Sequence, residues 1–295
     1  LISSAAIANV FQFILYLIVA KKRISPRLWN AKLLRSMLKY SIPLLPAVLA
    51  FWIVSLSSTY ILVRYSSMAE VGIYGIGTRS AGVISMLTGA VYMAYTVYAF
   101  QTVKEEGAQR KFVSILDVFF LVVACLCFTA AMFGPEIIGI MADASYSSAA
   151  RLLVPLMFSQ LAYGISTMAG YGMAFVKKSS LTTVAVLAGA AVSLSLNLIL
   201  IPRIGALGAA WSSLASYGVI AAFTVWFAER VYPCGYHIWR IACCFGVLVA
   251  LAQISQDAAL QIKALSEAAG IVFVCVAFRD VLGQIGTIAR GLLQR

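Results

Sequence analysis

The 295-residue chain is 62% apolar and only 11% charged, with a mean hydropathy of +0.96 and a formal net charge of +12. A soluble domain carries roughly 25% charged residues, so a water-soluble fold is excluded: too few polar groups remain to cover its surface. The positive charge sits in short clusters between long apolar runs, the pattern of loops flanking membrane spans and not of a nucleic-acid-binding face. Six cysteines (Cys125, Cys127, Cys234, Cys243, Cys244 and Cys275) without C-x-x-C spacing, and the lone His237, do not supply the ligands of a zinc or iron–sulfur centre. The cysteines read as small buried hydrophobes, and no metal or cofactor is expected.

About twenty mostly apolar residues cross the hydrocarbon core as a helix, and on that rule the chain carries nine predicted transmembrane helices. The first runs from Leu1 to Ala20, the second from Ile42 to Val63, and the third from Gly72 to Phe100. The fourth covers Phe112 to Phe133, the fifth Ala149 to Phe175, the sixth Ser179 to Ile201 and the seventh Gly205 to Ala228. The last two run from Ile238 to Ile254 and from Leu260 to Phe278. The expected fold class is therefore an all-α integral membrane protein. The first twenty residues lack the basic start and small-residue cleavage site of a signal peptide, so the sequence reads as a fragment that begins partway through a larger protein.

Loop charge orients these spans. With the first span running towards the cytoplasm, inside loops hold seventeen Lys and Arg residues, among them Lys21, Lys22, Arg23, Lys39, Lys111 and Lys178. Four basic residues (Arg64, Arg151, Arg203 and Lys263) fall on the outer side. This is the positive-inside bias, and it places the C-terminus in the cytoplasm. Residues 21–41 are expected to form a basic cytoplasmic loop. The longest outer connection, Gly134 to Ser148, is too short for a folded domain. After Phe278, residues 279–295 carry Val281, Leu282, Ile285, Ile288 and Leu292 at helical spacing opposite Arg279, Gln284, Arg290 and Arg295, as in an amphipathic helix on the inner leaflet or a solvated tail.

Three motifs carry a resemblance. Residues 197–210, N-L-I-L-I-P-R-I-G-A-L-G-A-A, resemble the N-L-x-L-I-P-x-x-G-x-x-G-A-A signature of the polysaccharide flippases (O-antigen, capsule and exopolysaccharide). These belong to the multidrug/oligosaccharidyl-lipid/polysaccharide exporter superfamily. Residues 39–46, K-Y-S-I-P-L-L-P, are similar to the family's K-[YF]-S-x-P-L-x-P, and residues 70–74, E-V-G-I-Y, to its E-V-G-x-Y. The resemblance implies a fourteen-helix, two-lobe transporter fold, of which this chain would be the second half. Residues 1–20 would be the last helix of the first lobe, 42–228 the second six-helix lobe, and 229–278 two additional C-terminal transmembrane helices. It further implies a bacterial inner-membrane flippase that moves a lipid-linked oligosaccharide by alternating access, with membrane lipids and other polysaccharide-assembly proteins as partners. The Pro202-to-Gly208 stretch is a hairpin signature that speaks to fold more than to substrate.

A flippase breaks no covalent bond, so no catalytic residue is sought; it must shelter a sugar–pyrophosphate head group. Arg79, inside the third span, is the leading candidate, since an arginine there costs about 2.5–3.5 kcal/mol unless it faces water, a cavity or a partner. The resemblance gives it a cavity-lining, phosphate-facing role; the alternative is snorkelling to the outer head groups. Ser58 and Thr59 stand in a polar patch (Ser55, Ser57, Ser58, Thr59 and Tyr60) where the family often has an Asp-Arg pair, so a role carried over from that pair does not transfer directly. Tyr92 and Tyr95, with Tyr98, read either as sugar-stacking rings or as an interfacial belt. Asn197 and Gln160 read as cavity polar groups or as helix–helix hydrogen bonds. Asp117, near the inner end of the fourth span, reads as an ion-coupling group or, in preference, as a solvated helix-end carboxylate. A cation-coupled multidrug antiporter of the same superfamily and an inactive fragment lacking the first lobe are the alternatives; a membrane enzyme is disfavoured by the absence of gathered acid–base groups.

Overall fold

The computed structural model describes residues 2–21, 30–256 and 258–283, and those residues form helices joined by short turns, with no strand among them. Among the described residues six helices are long and apolar enough to cross a membrane, so the chain is a multi-pass membrane protein. The chain divides into two compact units, Leu1–Ile42 and Pro43–Arg295.

The first unit holds α1 (Ile2–Lys21) and α2 (Ala31–Ser41). Within the stretch expected to be a basic cytoplasmic loop, 21–41, the last eleven residues are helical as α2. Asn30, in extended backbone, accepts a hydrogen bond from the Leu33 N–H at 3.1 Å, satisfying one of the free donors of the first turn. The residues that follow are mostly Leu, Lys, Arg, Met and Ala, which lose little in a helix.

A 3-10 turn, Ile42–Leu44, leads into α3 (Leu45–Tyr65) of the second unit, where Pro46 sits in the first turn and costs no hydrogen bond. Ser67 then caps α4 (Met68–Thr102), accepting from the Glu70 N–H. At 35 residues α4 is about 52 Å long, more than the hydrocarbon core requires, and it starts four residues before the expected span. Gly107, in the left-handed region, turns the chain into α5 (Ala108–Met132). The connection to the next long helix is not bare loop: it contains α6 (Gly134–Met141) and a 3-10 turn, Ala144–Ala149.

Helix α7 (Ala150–Ala169) is the hub, with nearly every side chain buried against α4, α5 and α9. The fifth span, expected from Ala149 to Phe175, keeps that extent, with a local break at Gly170 after which the chain continues as the short α8 (Tyr171–Phe175).

Helix α9 (Ser179–Val231) has 53 residues, which would be about 80 Å long if straight. It is instead a hairpin. Ile204 and Gly205 leave helical geometry, and Gly205 takes φ 56° and ψ −135°, a region open to glycine and strained for other residues. The two arms then run back along each other: Ile220 packs on Gly189, and a Cβ at Gly208 would lie 2.7 Å from the Leu200 carbonyl oxygen. Small residues at these crossings let the backbones approach without water to drive association. The first arm packs on α3 and the second on α7. Helices α10 (Ile238–Ser255) and α11 (Leu260–Ala277) complete the unit against α5. The amphipathic tail expected over 279–295 lies outside the described residues from position 284 onward.

Candidate functional site

Two of the sequence-derived candidates join α3 to the first arm of α9. The Asn197 amide donates to Ser57 Oγ at 3.0 Å and to Ser193 Oγ at 3.3 Å, and its carbonyl accepts from Ser58 Oγ at 3.3 Å. The Ser57 and Ser193 hydroxyls share a further bond at 3.3 Å, and all four residues are buried. Both amide hydrogens and the carbonyl of Asn197 are therefore used inside the protein. Ser58 and Asn197 act here as an interhelical clamp; Thr59, next to it, is half-buried.

The E-V-G-x-Y and N-L-x-L-I-P-x-x-G motifs meet 136 residues apart in sequence. Glu70 Oε2 accepts the Ala206 N–H at 2.8 Å, immediately after the Ile204–Gly205 turn. The carboxylate thus caps the second arm of α9 from another helix, at the end where the helix dipole favours negative charge. Four residues on, the Tyr74 hydroxyl lies 3.4 Å from that of Ser213 in the same arm.

Arg79 lies on the opposite side of α4 from this contact. Gly77, Ser80 and Ala81 face inward, while Arg79, Val83, Met86, Met93 and Val97 form an exposed stripe at helical spacing. It is the single charged residue of α4 between Glu70 and the helix end. Among the described residues no carboxylate pairs with it. Eleven residues from the start of α4, it sits about 16 Å along the helix, deeper than the expected span boundary implied.

The tyrosine candidates part company. Tyr95 is buried and packs edge-on against Tyr171 and Phe112, with ring centroids at 5.0 and 6.2 Å. Tyr92 remains exposed, with its ring 5.7 Å from that of Tyr171. Tyr171 also hydrogen-bonds Thr96. At about 100° per residue Tyr95 faces away from Arg79, and both tyrosines lie about 20 Å or more from it along α4. The structure does not bring them to one site with Arg79.

Asp117 is the main correction. It is 2% exposed, not solvated. Its Oδ2 accepts from Arg240 Nη2 at 2.7 Å, and His237 Nδ1 lies 2.9 Å from the same oxygen. With a carboxylate as acceptor, Nδ1 must carry the shared hydrogen, so the 3.1 Å approach of Arg240 to Nδ1 is a contact and not a second hydrogen bond. Arg240 also donates to the Ala277 carbonyl at 3.3 Å, lies 3.5 Å from Asp280, and covers the Phe278 ring at 4.3 Å. Asp117 Oδ1 and Arg240 Nε are buried without a hydrogen-bond partner among the described residues. This charged node ties α5 to the start of α10 and the end of α11.

Glu267 of α11, a carboxylate the sequence reading did not single out, accepts from Thr129 at 2.8 Å, and Lys263 reaches Glu136 at 3.1 Å. The signal available in sequence was an acid, a base or the lone histidine inside or at the edge of an apolar run. Which of them pair depends on helix register across 120 residues and more.

Beside the Asp117 node, a cavity of about 260 Å³ is lined by Leu116, Ile165, Val225, Tyr236, Ile241 and Phe245. It offers hydrocarbon and little else. In the loop before α10, burial pushes the Cys234 thiol up to about 11, which keeps it protonated at neutral pH. The cysteines expected to be buried divide: Cys127 and Cys244 are buried, Cys125, Cys234 and Cys275 half-buried, and Cys243 exposed. The chain matches no protein-family model, no curated protein and no solved structure.

Proposed function

We propose that this chain is the second lobe, with two further helices, of a flippase that carries a lipid-linked oligosaccharide across a bacterial inner membrane by alternating access. The observation that carries the reading is the bond from the Ala206 N–H to Glu70: it joins two of the three motifs on which the resemblance rests and gives each a physical reason. Arg79 adds to it. A guanidinium with no carboxylate partner among the described residues, on an apolar helix face, suits a cavity that receives an anionic pyrophosphate. In this reading nine spans are α1, α3, α4, α5, α7 with α8, the two arms of α9, α10 and α11. The basic clusters hold the C-terminus in the cytoplasm.

The buried Asp117–Arg240 pair favours a second reading, a cation-coupled antiporter of the same superfamily, since membrane carboxylates commonly serve coupling. Deleting the full gene in its own bacterium and complementing it separates the two. Loss of surface glycan, with lipid-linked repeat units trapped on the cytoplasmic side, is the expected result. Unchanged glycan in a strain without a redundant flippase overturns it, and drug-efflux assays then test the antiporter.

A further inference from the structure

Helix α2 has two faces of opposite character. Lys32, Arg35 and Lys39 fall within an arc of about 60° on the helix wheel, and Leu33, Leu34, Met37 and Leu38 centre about 160° away. All seven side chains are exposed. Among the described residues none of the three bases is ion-paired. The sequence also withholds any local counter-charge: seven basic residues stand between Lys21 and Lys39, and no acidic residue precedes Glu70. The helix ends three residues before α3, a membrane-length span, so the chain itself holds α2 at a membrane boundary.

We infer that α2 is an interfacial helix that docks on anionic lipid headgroups, with its leucine–methionine face in the acyl boundary and its three bases on the phosphates. Apolar burial sets the depth, and each base adds roughly fivefold to affinity for an anionic surface. A solvated linker would not need the segregation, and a basic face opposite an apolar one matches the phosphate and acyl layers of a lipid surface. The inference stands apart from the transported substrate.

The test is hydrogen exchange on the full chain in nanodiscs, following the amides of 31–41. One set is phosphatidylcholine alone and the other contains 30% phosphatidylglycerol. Exchange in α2 is expected to slow about tenfold or more in the anionic discs, and 0.5 M salt should reverse most of that slowing. The K32Q/R35Q/K39Q variant should lose the difference between discs while exchange in α5 and α7 stays as in the parent, which controls for folding. Equal exchange of the parent chain in both discs overturns the assignment. So does a triple variant that keeps the full anionic slowing.

Discussion

Arg79 and Asp117 are both charges inside apolar helices, and their surroundings separate them. Arg79 has no carboxylate partner among the described residues and faces outward, so its cost must be met by a cavity, water or lipid headgroups. If it meets a substrate phosphate, Arg79→Ala abolishes glycan export while Arg79→Lys, which keeps the charge but not the planar fork, retains part of it. Equal, parental export from both variants removes Arg79 from the site. Asp117 is already paired, and truncating one partner strands the other. Asp117→Ala should destabilise by about 3 kcal/mol in reversible unfolding from mixed micelles, somewhat less than for a fully buried pair because Arg240 keeps some exposure. The Asp117→Leu/Arg240→Met double variant should recover most of that loss. A double variant as unstable as the sum of the singles would show that the pair is not one unit.

At the scale of elements, the α9 hairpin depends on two glycines for different reasons. Gly205 supplies the turn conformation, and Gly208 supplies the space beside the Leu200 carbonyl. A methyl at 208 meets backbone, which cannot rotate away, so Gly208→Ala should cost about 2 kcal/mol or more. Glu70→Gln keeps an acceptor for the Ala206 N–H and loses only the charge facing the helix dipole, a change of about 0.5 kcal/mol, whereas Glu70→Ala should cost about 1 kcal/mol. The ordering of these three variants by thermal melting checks the argument, and Glu70→Ala exceeding Gly208→Ala would reverse it. The hairpin is legible in the sequence from Pro202, Gly205 and Gly208. The break at Gly170 and the helix over 31–41 are not. The first lies inside an uninterrupted apolar run, and the second is short and half-basic, below the length that a span search detects.

For the whole molecule, the alternation of basic loops makes a topology that is open to direct test. Reporter fusions after Lys39, Lys111 and Lys178 should all report the cytoplasm. A periplasmic signal at any of them removes the nine-span arrangement, and with it the correspondence to a second lobe. Composition and apolar run length determined by themselves that this chain lives in a membrane as helices, because lipid leaves the backbone no other way to satisfy its hydrogen bonds here. Local residue chemistry likewise determined the hairpin turn and the singling out of Arg79. Only the tertiary structure decided that Ser58 and Asn197 clamp two helices, that Tyr95 turns into the core, and that Asp117 is buried and paired with a half-buried Arg240 and an exposed His237. Those outcomes rest on which faces of distant helices meet. In a chain apolar on nearly every face, the hydrophobic pattern that would fix that register in water is absent, and close packing of small residues and a few polar contacts fix it instead.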